Sequence, residues 1–258
     1  MELGISVMKR IFSGRGRILL AVVLGALVLS GCSTRSISQS GGRGGNAFYS
    51  GELKDSDVLG AAPKSKAISD DDIQKALSSA RQDFRLPKSS SILLIQSGAM
   101  TPDVEMQQAL AQHYSVALYS GIPPDSGYRY GQTTDNAASV DYPRLLRLTA
   151  ANGGQDKILV YWGQLESGSE NEATKVVSWV PFVGGVLPDE TQHMRIVLRI
   201  ALIDVASGRW TTFTPPVFEN SSLSGRYNRD SKDAKQIMEL KSQAYQAAAE
   251  EIYKRFTQ

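Results

Sequence analysis

A single cysteine, Cys32, closes the first apolar run of this chain, and what the remainder can fold into depends on how that run is read. Lys9, Arg10, Arg15 and Arg17 precede the stretch Ile18–Leu29, and Ser30 and Gly31 separate the stretch from the thiol. A basic segment followed by about a dozen apolar residues has the build of a secretory signal peptide, and it falls short of the ~20 residues a helix needs to cross a bilayer. The small residues Ser30 and Gly31 let the chain enter a peptidase cleft in extended form. The alternative is a core segment that ends in a buried cysteine, but core helices seldom follow a basic N-terminus. Residues 1–31 are therefore set outside the fold. Met8, followed directly by Lys9-Arg10, makes a more compact signal start than Met1.

Leu29-Ser30-Gly31-Cys32 resembles the lipobox of bacterial lipoproteins, with the aliphatic, small, Gly-or-Ala and cysteine positions all matched. The resemblance implies cleavage before Cys32, uptake of a diacylglycerol by its thiol, and attachment to a lipid membrane without spanning it. Ser33 stands where an aspartate is the usual inner-membrane retention signal, so the implied location is the periplasmic face of the outer membrane. Each acyl methylene buried in the bilayer adds ~0.8 kcal/mol, so several chains on one cysteine make a durable anchor.

The charge balance excludes one class of partner. The chain has 28 basic and 26 acidic residues; without the four bases and the one acid (Glu2) of the signal, 24 face 25. A near-neutral chain with no basic cluster lacks the footprint of a nucleic-acid binder. With Cys32 acylated, no thiol is left for a disulfide, a redox pair or a metal-thiolate site, so the core alone must hold the fold.

Residues 32–67 read as a lipidated flexible tether. They are rich in Gly, Ser, Lys and Asp, with Gly41-Gly42-Arg43-Gly44-Gly45 near the start, and a coil of this kind reaches about 30 Å. Residues 68–258 read as one periplasmic domain. Ser69 and Asp70–Asp72 open a helix with Ile73, Ala76, Leu77, Ala80 and Phe84 on one face. Ser91–Gln96 is an almost wholly apolar strand, fit for cover on both faces. Thr101-Pro102-Asp103 caps a second helix, Val116–Ser120 makes the next strand, and Pro143–Ala151 a third helix. Residues 121–140 form a long loop. Lys157–Leu165 and Arg195–Val205 are strong strands, the second alternating strictly, and Ser207-Gly208 turns it into a hairpin with Trp210–Phe213. A final helix runs from near Ser231 to Phe256 with Ile237, Ala244, Tyr245, Ala248 and Ile252 on one side. The expected fold is α/β with some α+β character: a single three-layer-like domain with a mixed sheet, helices packed on it and a long C-terminal helix.

Ser91-Ile92-Leu93-Leu94-Ile95, Asp156–Gly163 and Ala201-Leu202-Ile203-Asp204-Val205-Ala206-Ser207-Gly208 carry a second resemblance. Their order is similar to the periplasmic α/β domain of TolB (N-terminal domain), the CsgG core and LpoB-type lipoproteins, over about residues 88–256. The resemblance implies action through protein contacts. Asp-Val-x-x-Gly after a strand also suits a plain hairpin turn.

No catalytic constellation stands out. His113 and His193 are the only histidines and neither has metal-ligand spacing around it. No Gly-x-Ser-x-Gly elbow is present, the Gly41–Gly45 stretch follows no strand, and consecutive Asp70, Asp71 and Asp72 point different ways on a helix. No cofactor and no metal site are expected. The more informative stretch is Val176–Pro188, apolar, aromatic and interrupted by Pro and Gly. It is either a buried strand with a bent connection or an exposed loop that enters a partner groove or a lipid interface, rimmed by Glu170, Glu172, Asp189 and Glu190. Trp179, Val180, Pro181, Phe182 and Val183 are the candidate partner-binding residues, beside Cys32 as the lipid-attachment site. The expected function is a non-catalytic binding, scaffold or regulatory component of an envelope assembly, with a membrane partner through Cys32 and a protein partner in the envelope. The alternative is a periplasmic hydrolase or peptidase with dispersed catalytic residues.

Overall fold

The computed structural model describes residues 35–39, 51–60, 68–80, 83–123, 141–170, 177–181, 192–222 and 229–257. In chain order the elements are β1 (Arg35–Ser36), a 3-10 turn (Ile37–Gln39), α1 (Asp55–Leu59), α2 (Asp70–Ala80), β2 (Ser91–Gln96), α3 (Val104–Ala111), β3 (Ser115–Tyr119), α4 (Tyr142–Asn152), β4 (Lys157–Glu170), β5 (Val177–Pro181), β6 (Gln192–Asp204), β7 (Trp210–Phe213), β8 (Phe218–Ser222) and α5 (Arg229–Phe256).

The eight strands share one sheet whose main order is β3-β2-β4-β6-β7. β2 pairs in parallel with both β3 and β4, and each of those links crosses over through a helix, α3 or α4. β6 is antiparallel to β4 and to β7. The β4–β6 ladder is the spine, running from Lys157↔Asp204 to Ser169↔Gln192. β2 and β7 flank its first stretch; further along, β1 and β5 take the edge of β4, and β8 takes the edge of β6.

The two-residue period of the strands sorts side chains onto two covered faces. Ile92, Leu94, Leu159, Tyr161, Ile200 and Leu202 meet Met106 and Leu110 of α3 and Ile237, Tyr245, Ala248 and Ile252 of α5. On the opposite face Leu93, Ile95, Ile158, Val160 and Trp162 meet Leu146 and Ala150 of α4, together with Leu53 and Val58 of the α1 segment. The result is the expected mixed-sheet α/β domain, with α5 as its long C-terminal helix. In β6 the strict alternation holds from Met194 to Ile200, then gives way to burial on both faces at Ala201, Leu202 and Ile203, where α4 covers the second side.

Three expectations need correction. Residues 35–39 and 51–60 are built into the domain, although the whole of 32–67 reads as a tether. Ile37, Leu53 and Val58 are buried, β1 pairs with β4, and Arg199 both stacks on Trp162 at 4.3 Å and binds Asp55 at 2.6 Å, which clamps α1 down. Second, α2 forms but none of its residues is buried; Ile73 and Leu77 are about half exposed, at 47% and 52%. The central strands are covered on one face by α3 and α5 and on the other by α4 and the α1 segment, and α2 lays none of its stripe on them. Phe84 lies outside that helix and packs edge-on against Phe256 of α5, 5.9 Å between ring centres. Third, α3 begins later than Pro102 suggests, with Asp103 at the N-cap.

Candidate functional site

The carboxyl end of β2 gathers a polar network from widely separated parts of the chain. Gln96, its last residue, is buried, and its Oε1 accepts from Tyr161 Oη at 2.6 Å and from the Asp103 N–H at 2.7 Å. Asp103 sits at the N-cap position without capping the helix through its side chain. Its Oδ2 instead accepts from Tyr245 Oη at 2.6 Å, Lys241 Nζ at 2.9 Å and Gln96 Nε2 at 3.3 Å. Lys241 is only 6% exposed, so the aspartate supplies the countercharge that a buried ammonium requires. Burial pushes both tyrosine hydroxyls, Tyr161 and Tyr245, well above the ordinary tyrosine range, and the nearby Asp103 charge adds to it. They remain neutral donors. The backbone makes room for this end of β2 at Gly121, where a Cβ would stand 1.8 Å from the Gln96 carbonyl oxygen.

In an open α/β sheet, ligands enter at the carboxyl ends of the strands where the chain reverses its direction of winding. That place lies here between β2 and β4, since β3 is added on one side of β2 and β4 on the other. It is filled by the chain's own N-terminal segment. Ser38 Oγ accepts from Gln96 Nε2 at 3.0 Å and donates to the Ser97 carbonyl at 2.6 Å. The Leu53 N–H donates to Ser97 Oγ at 2.8 Å, and Trp162 Nε1 donates to the Leu53 carbonyl at 2.8 Å. Ile37 lies directly on Gly163, where a Cβ would come within 2.5 Å of its Cδ1. Gly163 is thus the crossing point of the strap over β4. Sequence reasoning missed this network. Ile37, an isolated aliphatic residue in a Ser- and Gly-rich stretch, is the one sequence signal that could have found it.

At the opposite end of the sheet, a groove of about 640 Å³ is lined by Asp83, Phe84, Arg85, Lys157, Asp204, Ser207 and Arg209. Lys157 Nζ donates to Asp204 Oδ2 at 2.5 Å across the β4–β6 pair, and the N–H and Oγ of Ser207 donate to Asp204 Oδ1 at 2.8 and 2.6 Å. Burial raises the Asp204 carboxyl, but the hydrogen bonds from Lys157 and Ser207 and the lysine charge outweigh it and hold the group at about 2. The aspartate folds the turn after β6, as the Asp-Val-x-x-Gly pattern suggests, with Gly208 at φ +74°.

The residues singled out from sequence are spread over several elements. Trp179, Val180 and Pro181 stand in β5, opposite Gly168, Ser167 and Glu166 of β4. Cys32, Phe182 and Val183 lie outside the described residues. His113 stacks on Tyr253 at 4.1 Å and lies 3.4 Å from Glu250, whereas His193 belongs to β6 opposite Gly168. Asp72 reaches back to Ser69 at the start of α2, and that contact lowers its carboxyl below the ordinary range. Among the described residues, no group of three or more His, Cys, Asp or Glu is placed to hold a metal ion, and no helix is long and apolar enough to cross a membrane.

The described residues thus define an α/β domain whose mixed sheet is closed at the carboxyl end of β2 by its own N-terminal strap. The chain belongs to the YafT bacterial lipoprotein family, whose model matches residues 54–255 and so takes in α1 as well as the body of the sheet. No curated protein matches it. Among solved structures it is similar to the PelC dodecamer from Paraburkholderia phytofirmans (12% identity, 64% of this chain and 93% of that one, TM-score 0.28). It is also similar to lipoprotein GNA1162 from Neisseria meningitidis (14% identity, 60% and 96%, TM-score 0.27). A third likeness is to a putative neuraminyllactose-binding hemagglutinin homolog from Helicobacter pylori (13% identity, 69% and 91%, TM-score 0.28). At these scores the likenesses carry no functional argument.

Proposed function

We propose that this lipoprotein is a non-catalytic binding, scaffold or regulatory component of an envelope assembly, held by an acylated Cys32 to the periplasmic face of the outer membrane. One observation supports it above the others: the crevice where an open α/β sheet would admit a small substrate is filled by Ile37 and Ser38. The family supports the lipid anchor, and the resemblance to the TolB, CsgG and LpoB-type domains enters as part of this proposal, for action through protein contacts. The contact residues it carries forward are Trp179, Val180 and Pro181 in β5, with Phe182 and Val183 after them in sequence.

The test is cross-linking and pull-down of the lipidated protein from envelopes, alongside a Trp179→Ser, Phe182→Ser variant. Specific recovery of the same envelope proteins by the wild type, lost in a variant whose circular dichroism is unchanged, is the expected result. Turnover of peptide or glycan substrates by the purified soluble domain overturns the proposal in favour of a hydrolase.

A further inference from the structure

Strand register fixes where the anchored end of the chain leaves the sheet. On one edge of β4, Leu165 pairs with Arg35 of β1, and the next residue, Glu166, pairs with Pro181 of β5. β1 and β5 therefore lie end to end along that edge. Because β1 is antiparallel to β4, the chain traced back from Ser36 to Arg35 heads toward β5. The next edge position is occupied by Pro181, so the pairing of β1 with β4 stops at Arg35.

Cys32 stands three residues before Arg35. Three residues reach at most about 11 Å when fully extended, and neighbouring pairs on a strand are about 3.4 Å apart. An acyl group on Cys32 thus holds the Pro181 end of β5 within about 15 Å of the bilayer surface. A flexible tether reaching about 30 Å would let the domain turn any side to the membrane. Three residues do not.

We infer that the edge of β4 shared by β1 and β5 is a lipid-contacting surface, and that its partner is the bilayer that holds Cys32. This rests on the lipid-anchor reading above and names the partner of the same β5 surface. The chemistry of the strand fits a membrane boundary. Four of its five residues, Val177, Trp179, Val180 and Pro181, are apolar or aromatic, and tryptophan favours the headgroup level. The neighbouring Glu166 carboxylate accepts from Arg195 Nε at 2.6 Å, so it does not stand as a lone anion facing lipid headgroups.

Cys32 is the only cysteine and is consumed by acylation, so an introduced cysteine is the one thiol open to a probe. The lipidated protein carrying Ser178→Cys, labelled with a fluorophore, is placed in phosphatidylethanolamine–phosphatidylglycerol vesicles containing a spin-labelled lipid. Ala206→Cys, in the turn at the far end of the spine, is the control, and Val177→Cys replaces Ser178→Cys if that variant does not fold. Quenching about threefold stronger at the β5 position is expected for a probe at the headgroup level. Equal quenching at both positions overturns the inference. A spacer of about a dozen Gly and Ser residues between Ser33 and Thr34 separates contact from mere nearness: quenching that persists at β5 supports a surface with its own lipid affinity, and a fall to the control level overturns it. A photo-cross-linker at Trp179 that captures protein while the β5 probe stays unquenched also overturns the lipid assignment, yet leaves the proposed function standing. Intact quenching with no envelope protein recovered by pull-down does the reverse.

Discussion

At the carboxyl end of β2, Lys241 and Asp103 are joined beneath the chain's own N-terminal strap; at the amino end of β4, Lys157 and Asp204 are joined on the wall of an open groove. The two pairs have comparable exposure, 7% and 25% of the side chains against 14% and 24%. What differs is the reach of the contacts. Lys157 and Asp204 face each other across adjacent strands, so the ladder has already brought them together. Asp103 holds Lys241 and Tyr245, 138 and 142 residues away, and fastens α5 to the start of α3 and, through Gln96, to the strap. One aspartate decorates a strand pair, whereas the other assembles the tertiary structure.

The largest expected effect follows from that difference. Asp103→Ala takes the carboxylate from a buried lysine and should cost about 3–5 kcal/mol of unfolding free energy in urea titration. Lys157→Ala should cost about 1–2 kcal/mol, because the remaining aspartate keeps its Ser207 contacts and borders solvent. Equal losses in the two variants would abolish the distinction between the ends.

Next in size is the strap. Ile37→Ala removes a side chain that is 1% exposed and should cost about 2–4 kcal/mol. If the segment after Cys32 were a free tether, the same substitution would leave the urea midpoint unchanged.

The open end should show itself in acid. The folded Asp204 carboxyl is held at about 2, against 3.8 for the ordinary group. Its contribution is therefore fully present above about pH 4 and is lost as pH falls toward about 2, and it amounts to about 1–2 kcal/mol after allowance for solvent. Asp204→Asn should flatten that part of a stability–pH profile between pH ~4 and ~2. A profile that keeps its slope in this variant would place the acid sensitivity elsewhere. The smallest effect is expected at α2, where Leu77→Ser should change stability by no more than about 0.5 kcal/mol, since Leu77 is 52% exposed.

The difference between the two ends also explains what could be read from sequence. The body of the sheet was legible because period and run length act locally: Ser91–Gln96, the alternation of β6 and the stripe of α5 all name their own buried faces. The turn at Asp204–Gly208 was legible for the same reason. The network at Asp103 was not, since each member has an adequate local explanation. Asp103 reads as a helix-start acid, Lys241 as a surface lysine on a long helix, Gln96 as a strand end. Only the fold brings them within hydrogen-bond distance. The strap reads as tether because β1 and the 3-10 turn together span five residues and offer one large apolar side chain, Ile37. α2 fails in the opposite sense: its stripe is plain in the sequence, but a stripe does not say whether any surface is left to receive it.

The pairing of Arg35 with Leu165 has a consequence for the order of events in making the protein. A chain emerges N-terminus first, so Arg35 is delivered early, yet its pairing residue Leu165 follows only 130 positions later. Contacts of such long sequence separation close late, because the entropy of a large loop must be overcome first. Under the proposed acylation of Cys32, that step can be complete while the sheet is still unfinished. The β1–β4 pair would then be among the last contacts of the sheet to close.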